Sequence, residues 1–339
     1  MEKKTNTTIS KFNSLIALKK LKSSADEIDS TFFCFENLPV FGKEFWFMKF
    51  VSKENKDKRQ LLVMFGNAVG NLKINKKEIK CKKDKNGNKN GYMTVWCYDE
   101  EKHLIFEDEC TILINQSNIL AINKQNKIKY SGNFPSYSLN LFKDKEFCNL
   151  KITKPENNSN YFEFRNFFKS FLGYTIINLY FDFKGILNNK KFEGKCYVQK
   201  VIVIGPFVPW YWGRIVFSNG SILNYHEPRI EAFGLKYKLR SLFEFYDNEK
   251  NKKYRFNDVK IIRFGKKNQR WIITANKGNF FVCIKTYSSH IFEFKKIGCF
   301  TYIEYLAKIT DIFIENENVD VKKLGSGFGL IEDAYGYFL

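Results

Sequence analysis

Short apolar-aromatic runs separated by Asn, Lys and Gly recur from Thr31 to the end of the chain, with almost no helical periodicity between them. Runs at this regular spacing specify an all-β sandwich or barrel. Aromatic residues make up 17% of the 339 positions, and such side chains favour a half-buried pleated surface. Only six prolines are present, so strands can run long without losing ladder donors.

In the first half, Phe45–Val51, Gln60–Phe65, Tyr92–Tyr98 and Leu104–Cys110 read as strands, with Asn118–Ile122 and Tyr137–Leu141 as weaker candidates. Lys53–Arg59 reads as a charged hairpin tip and Asn75–Gly91 as a lysine-asparagine loop. In the second half the candidates are Tyr174–Lys184, Phe192–Ile204, Trp212–Phe217, Ile222–His226, Leu235–Phe245, Tyr254–Phe264, Trp271–Ala275, Asn279–Tyr287 and His290–Lys295. Tyr302–Ile314 fits either a strand pair or a helix. Gly325–Leu339 carries GxGxG rather than GxGxxG, and reads as a Gly-rich strand closing a barrel. The length suggests two domains. A composition shift at Pro155–Asn160 divides the chain into an arm over 1–30, a first barrel over 31–157 and a second over 158–339. Within the arm, Ser14–Leu21 reads as a short helix.

The net charge is +20, which keeps nucleic acid among the possible partners. However, the lysines are dispersed through loops, and Lys greatly outnumbers Arg alongside abundant Asn, Ile and Phe, the signature of AT-rich coding. The eight cysteines lie far apart without a CxxC, so free thiols are expected. The N-terminus lacks a signal-peptide core, and Pro206 and Pro209 interrupt the longest apolar window. A cytoplasmic location is the expectation. His103 and His290 have no partners at ligand spacing, and no GxSxG or Cys-His pattern occurs, so neither metal, cofactor nor nucleophile is expected.

The stretch Gly205–Pro228 holds Trp210, Trp212, His226 and the turn signal Asn219-Gly220. A two-residue type I′ turn there would set Arg214 opposite Tyr225 and Trp212 opposite Glu227, all on one face. Arg214 and Glu227 would then be diagonal neighbours. Tyr211, Ile215, Phe217, Ile222, Asn224 and His226 would take the other face. One reading has Trp212, Arg214, Tyr225 and Glu227 lining a cavity, with Trp210 and Tyr211 also in contact with a ligand. The other makes Arg214-Glu227 a structural pair, as buried ion pairs often are. His226 is a further catalytic candidate if its face is the inner one. Glu332 and Asp333 sit in the last strand, and either could point inward as an acid. Glu36 and Glu44 flank the first strand, where Trp46 and Trp96 are core residues.

EFWFMKF at Glu44–Phe50, PWYWGRIVFSNG at Pro209–Gly220 and GFGLIEDAYG at Gly327–Gly336 resemble, in order, landmarks of the carotenoid 1,2-hydratase (hydroxyneurosporene synthase) and AttH-like group. The resemblance implies two lipocalin-like antiparallel β-barrels packed together and work on hydrophobic, isoprenoid or polyene-like molecules. It also implies an acid just before the Trp-Gly dipeptide, where this chain has Pro209, Trp210 and Tyr211. Binding of a hydrophobic small molecule is therefore the leading expectation, possibly with acid-assisted chemistry by Glu227, Arg214, His226 or Glu332. A hydratase-type lyase or isomerase, a nucleic-acid-binding β protein and a structural protein with filled barrels stand as alternatives.

Overall fold

The computed structural model describes residues 25–54, 56–81, 88–99, 102–156, 161–169, 172–232, 235–239, 241–265, 269–315, 317 and 319–338. The expected helix at Ser14–Leu21, and most of the expected boundary segment, lie outside these residues. The all-β expectation holds, and the chain divides into two compact units, residues 1–50 with 61–206, and 51–60 with 207–339.

The first unit opens with helix α1 (Ala25–Phe32). Its strands are β1 (Gly42–Ser52), β2 (Gln60–Ala68), β3 (Gly70–Ile74), β4 (Lys77–Cys81), β5 (Lys89–Asp99), β6 (Lys102–Asn115), β7 (Asn118–Ile122), β8 (Asn126–Asn133), β9 (Ser136–Lys143), β10 (Lys145–Thr153), β11 (Phe162–Lys169), β12 (Leu172–Leu187) and β13 (Lys190–Ile204). The tip between β1 and β2, residues 51–60, belongs to the second unit. Ten antiparallel strands close on themselves: β1, β2 and β5 to β10 follow in order, and β12 and β13 return to β1. The seam is β10 against the second half of β12, from Cys148 opposite Leu187 to Thr153 opposite Asp182. Strand β11 pairs with the first half of β12.

Period-two alternation explains the filling. On β1, Trp46, Met48 and Phe50 point inward; on β12, Ile177, Leu179, Phe181 and Phe183 do so. Trp46 stacks on Phe65, and Tyr130 stacks between Phe33 and Tyr137. Each fully buried ring contributes about 1.5–3 kcal/mol. Helix α1 adds Ile28 and Phe32 to this core, and Asp29 accepts from the Tyr137 hydroxyl at 2.7 Å. The C-terminal part of the expected arm is therefore a packed helix.

The boundary expected at 157/158 is displaced. β11, β12 and β13 belong to the first unit because β12 and β13 supply the strands that close its barrel. Part of the expected Asn75–Gly91 loop is strand β4, which pairs with β3 from Gly70 opposite Cys81. Its lysines and glutamate alternate with buried Ile79, so charge did not prevent a ladder.

The second unit contains β14 (Trp210–Phe217), β15 (Ile222–Ala232), β16 (Leu235–Lys238), β17 (Leu242–Asp247), β18 (Lys252–Phe256), β19 (Lys260–Phe264), β20 (Arg270–Ala275), β21 (Phe280–Lys296), β22 (Gly298–Ile314), the one-turn helix α2 (Val321–Leu324) and β23 (Gly327–Phe338). Nine strands form one antiparallel sheet in the order β18, β17, β15, β14, β23, β22, β21, β20, β19, with β16 on β15. The sheet winds around a single core that draws on both of its ends: Phe243 packs on Phe256 and Phe280, and Trp271 on Tyr211 and Tyr305. The segment Tyr302–Ile314 is strand, and the Gly-rich C-terminal segment is central, between β14 and β22. Gly329 is required there: a Cβ would lie 2.1 Å from the Arg214 carbonyl oxygen and 2.7 Å from Ile215 Cα.

Candidate functional site on the second unit

The hairpin β14–β15 decides which side chains meet. Its loop is not the two-residue type I′ turn expected. Gly220 has φ +89°, whereas Asn219 is not in the positive-φ region that type I′ requires of both central residues. Instead Gly220 N–H donates to Phe217 O at 2.9 Å, and Phe217 N–H to Ser221 O at 2.9 Å, giving a three-residue loop. The register is offset by one: Trp212 lies opposite His226, Arg214 opposite Asn224 and Tyr211 opposite Glu227. A one-residue offset exchanges the face of every partner. The expected Arg214-Glu227 pair is therefore corrected. Arg214 donates to Asn224 at 2.8 Å on the outer face, and Glu227 accepts from Lys238 at 3.0 Å on the inner face.

The inner face, which carries the core, holds Tyr211, Tyr225 and Glu227. Tyr225 is fully buried, stacked on Phe243, and its ring occupies the space that a Cβ at Gly213 would need. Burial first, then the charges of Glu332 and Asp333, hold its phenol well above its ordinary range. It is a core residue, and the expected grouping with Trp212 and Arg214 is corrected by the same register.

The outer face gathers Trp210, Trp212, Arg214, His226 and Glu332. Reading across the ladder, His226 on β15 is opposite Trp212 on β14, which is opposite Glu332 on β23; Glu332 is opposite Glu304 on β22, and Glu304 opposite His290 on β21. Two histidines thus flank a tryptophan and two facing glutamates in one row. Glu304 and Glu332 are both buried. The Trp210 indole N–H donates to Glu332 Oε2 at 2.8 Å, and the Tyr302 hydroxyl donates to Glu304 Oε1. Burial, then both carboxylates, push the Tyr302 phenol well up, so it remains a donor. Around this pair stand rings: Trp210 lies 5.2 Å from Phe300 and 5.7 Å from Tyr302, Tyr302 stacks on Phe292, and Phe207 meets Trp210, Phe294 and Phe300. Phe207, Trp210, Trp212 and Phe294 are half-buried, so the rings present a surface above buried acids. Two buried carboxylates thus stand opposite each other on neighbouring strands among aromatic rings.

Of the residues singled out in the sequence, the fold brings Trp210, Trp212, His226 and Glu332 together, His226 and Glu332 on the outer face rather than the inner one expected, beside Glu304 and Tyr302, which were not singled out. The available signal was Glu304 within TYIEYLAK, a carboxylate on the same alternating face as Tyr302 and Leu306.

Glu44 and Lys200 form a second buried pair, at 3.0 Å in the first unit, both side chains fully buried. Lys200 also donates to the carbonyls of Thr31 at 2.7 Å and Cys34 at 2.8 Å, and lies 5.0 Å over Trp46. Burial, the largest single effect, acts to lower its ammonium, but the charges of Glu44, Cys34 and Glu36 together with the Glu44 hydrogen bond outweigh it and hold the group above the ordinary range. Among the described residues no three His, Cys, Asp or Glu side chains gather as metal ligands, and no helix is long and apolar enough to cross a membrane. None of the eight cysteines is joined in a disulfide.

No family model and no curated protein matches the sequence. Among solved structures, the chain is similar to a Nitrosomonas europaea protein provisionally designated AttH, with 9% identity, TM-score 0.45, and coverage of 86% of this chain and 92% of that one.

Proposed function

We propose that the second unit binds a hydrophobic small molecule of isoprenoid or polyene type on its outer aromatic face, and that the Glu304–Glu332 pair protonates it. The observation that supports this reading is the buried carboxylate pair, hydrogen-bonded by Trp210 and Tyr302 and surrounded by Phe207, Phe292, Phe294 and Phe300. The acid that the sequence lacks at Pro209 has a spatial counterpart in Glu332, delivered from the neighbouring strand to the Trp210 indole. Protonating an alkene moves a proton from a carboxyl to carbon in a dry site; aromatic faces hold the resulting cation until the carboxylate left behind takes up a neighbouring C–H proton and restores an alkene. Glu304 and Glu332 facing each other hold one proton more readily than two charges. Trp210 and Tyr302 fix one oxygen of each. The closed first barrel, filled with rings, serves as scaffold. A cytoplasmic location goes with eight cysteines outside any disulfide.

The test is to purify the protein without detergent, extract it with solvent and weigh the extract by mass spectrometry. A stoichiometric apolar molecule is expected, together with deuterium incorporation when lycopene is incubated with the protein in D2O. Glu332→Gln and Glu304→Gln should each abolish incorporation. An extract free of lipid and no deuterium uptake in the parent protein would sink the reading.

A further inference from the structure

The opposite face of the same strands carries an independent feature. On the inner side, Arg229 is 3% exposed and donates through Nε to Glu231 at 2.6 Å and through Nη2 to Asp333 at 3.1 Å and the Ala334 carbonyl at 2.9 Å. Its guanidinium lies 3.9 Å over the Tyr211 ring, and Arg263 reaches the same ring at 5.2 Å while pairing with Asp333. Yet Arg229 Nη1 is buried with no hydrogen-bond partner among the described residues. A buried guanidinium donor left unmade costs more than a neutral one, so an oxygen that accepted from Nη1 would be held strongly. The hydroxyl of Tyr225, four positions earlier on the same inner face, is also buried without a partner.

What lies beyond Arg229 indicates what carries that acceptor. Strands β21, β22 and β23 continue past the core. Asp333 is opposite Ile303, Ile303 opposite Ile291, Tyr335 opposite Thr301 and Tyr337 opposite Cys299, so these inner-face positions extend the same surface. On this face Ile291 is 49% exposed, Tyr335 40% and Tyr337 61%, with Thr301 and the ion-paired Glu293 and Lys295 among them. Scattered exposed apolar residues need no explanation, but Tyr335 directly follows Ala334, whose carbonyl Arg229 holds, and so stands beside the buried donor. The three cations Arg229, Arg263 and Lys238 face the three carboxylates Asp333, Glu231 and Glu227, so charge is balanced and a second anion is not favoured.

We propose that this inner end is a binding site for an amphiphile, with its apolar chain on Ile291, Ile303, Tyr335 and Tyr337 and a neutral oxygen, hydroxyl or carbonyl, accepting from Arg229 Nη1. The site is separate from the outer face and stands whether or not the carboxylate pair is catalytic.

Calorimetric titration of the full chain with dodecan-1-ol, dodecane and dodecanoate tests it. Dodecan-1-ol should bind at least about tenfold more tightly than dodecane, since a hydrogen bond to a charged donor is worth that much, and more tightly than dodecanoate. Tyr335→Glu, on the exposed rim, should weaken the alcohol about tenfold. Arg229→Lys, which keeps the charge but removes Nη1, should abolish the preference of alcohol over alkane. Glu332→Gln and Trp210→Ala should leave alcohol binding unchanged. Equal affinity for alcohol and alkane, no binding at all, or binding indifferent to Tyr335→Glu would overturn the proposal. So would loss through Trp210→Ala, which would place the ligand on the outer face. If Arg229→Lys does not fold, the alcohol-alkane ratio and Tyr335→Glu decide.

Discussion

Each unit buries an ion pair against an aromatic wall, but they finish the task differently. In the first, Lys200 spends its ammonium on Glu44 and on the carbonyls of Thr31 and Cys34, and so ties the turn after α1 to the barrel. In the second, Arg229 holds Asp333 and Glu231 but leaves one buried donor unmet beside an exposed rim. A satisfied buried pair under a packed helix is architecture. An unsatisfied one at an open rim is a place where something can bind. The difference lies not in burial or charge, which are similar, but in whether the hydrogen-bond valences close.

The contrast can be broken most sharply at its closed side. Lys200→Met leaves the buried Glu44 with Lys89 alone, at 3.3 Å, and strands the Thr31 and Cys34 carbonyls, and should cost about 3–5 kcal/mol in urea unfolding. Removing both charges, with Glu44→Leu added, should recover most of it. Arg229→Met should cost less, about 1–3 kcal/mol, because Arg263 still pairs with Asp333. Equal losses would erase the distinction.

A chemical probe sharpens it next. Burial, the largest effect, outweighs the opposing Lys200 charge and pushes the Cys34 thiol up to about 11. The folded state therefore prefers the protonated thiol. That preference is intact below the ordinary thiol range near pH 9 and is lost as pH rises toward 11. Iodoacetamide mapped by peptide mass spectrometry should label exposed Cys299 at pH 8, and Cys34 only near pH 11 or after unfolding. Labelling of Cys34 at pH 8 in the folded protein would show that this end is open. The smallest effect is expected on the rim: Tyr337→Glu should change stability by no more than about 0.5 kcal/mol, because 61% of the side chain already meets solvent.

The strands were legible because alternation of aromatic and polar residues survives dispersed lysines. The barrel boundary was not. The composition shift at Pro155–Asn160 falls between β10 and β11, while the closing partner of β10 is β12, a choice that pairing across distance makes and local sequence does not record. The faces of the hairpin were also hidden. Asn219-Gly220 signals a turn, but two-residue and three-residue loops share that signal, and only Gly220 takes positive φ. That single residue of offset separated Glu227 from Arg214 and brought Trp212 beside His226. Glu304 escaped notice because an acid within an apolar strand reads as an interruption until its opposite number, Glu332, is known.

The three-residue loop at Ser218–Gly220 also bears on how such a protein diversifies. Parity, not composition, decides which half of the β15 side chains meets each surface of the sheet. An insertion or deletion of one codon there, with every strand residue kept, would turn His226 toward the core and Glu227 toward the carboxylate row. Lineages sharing this hairpin could thereby exchange their reactive groups by a change in loop length that substitution counts would never register.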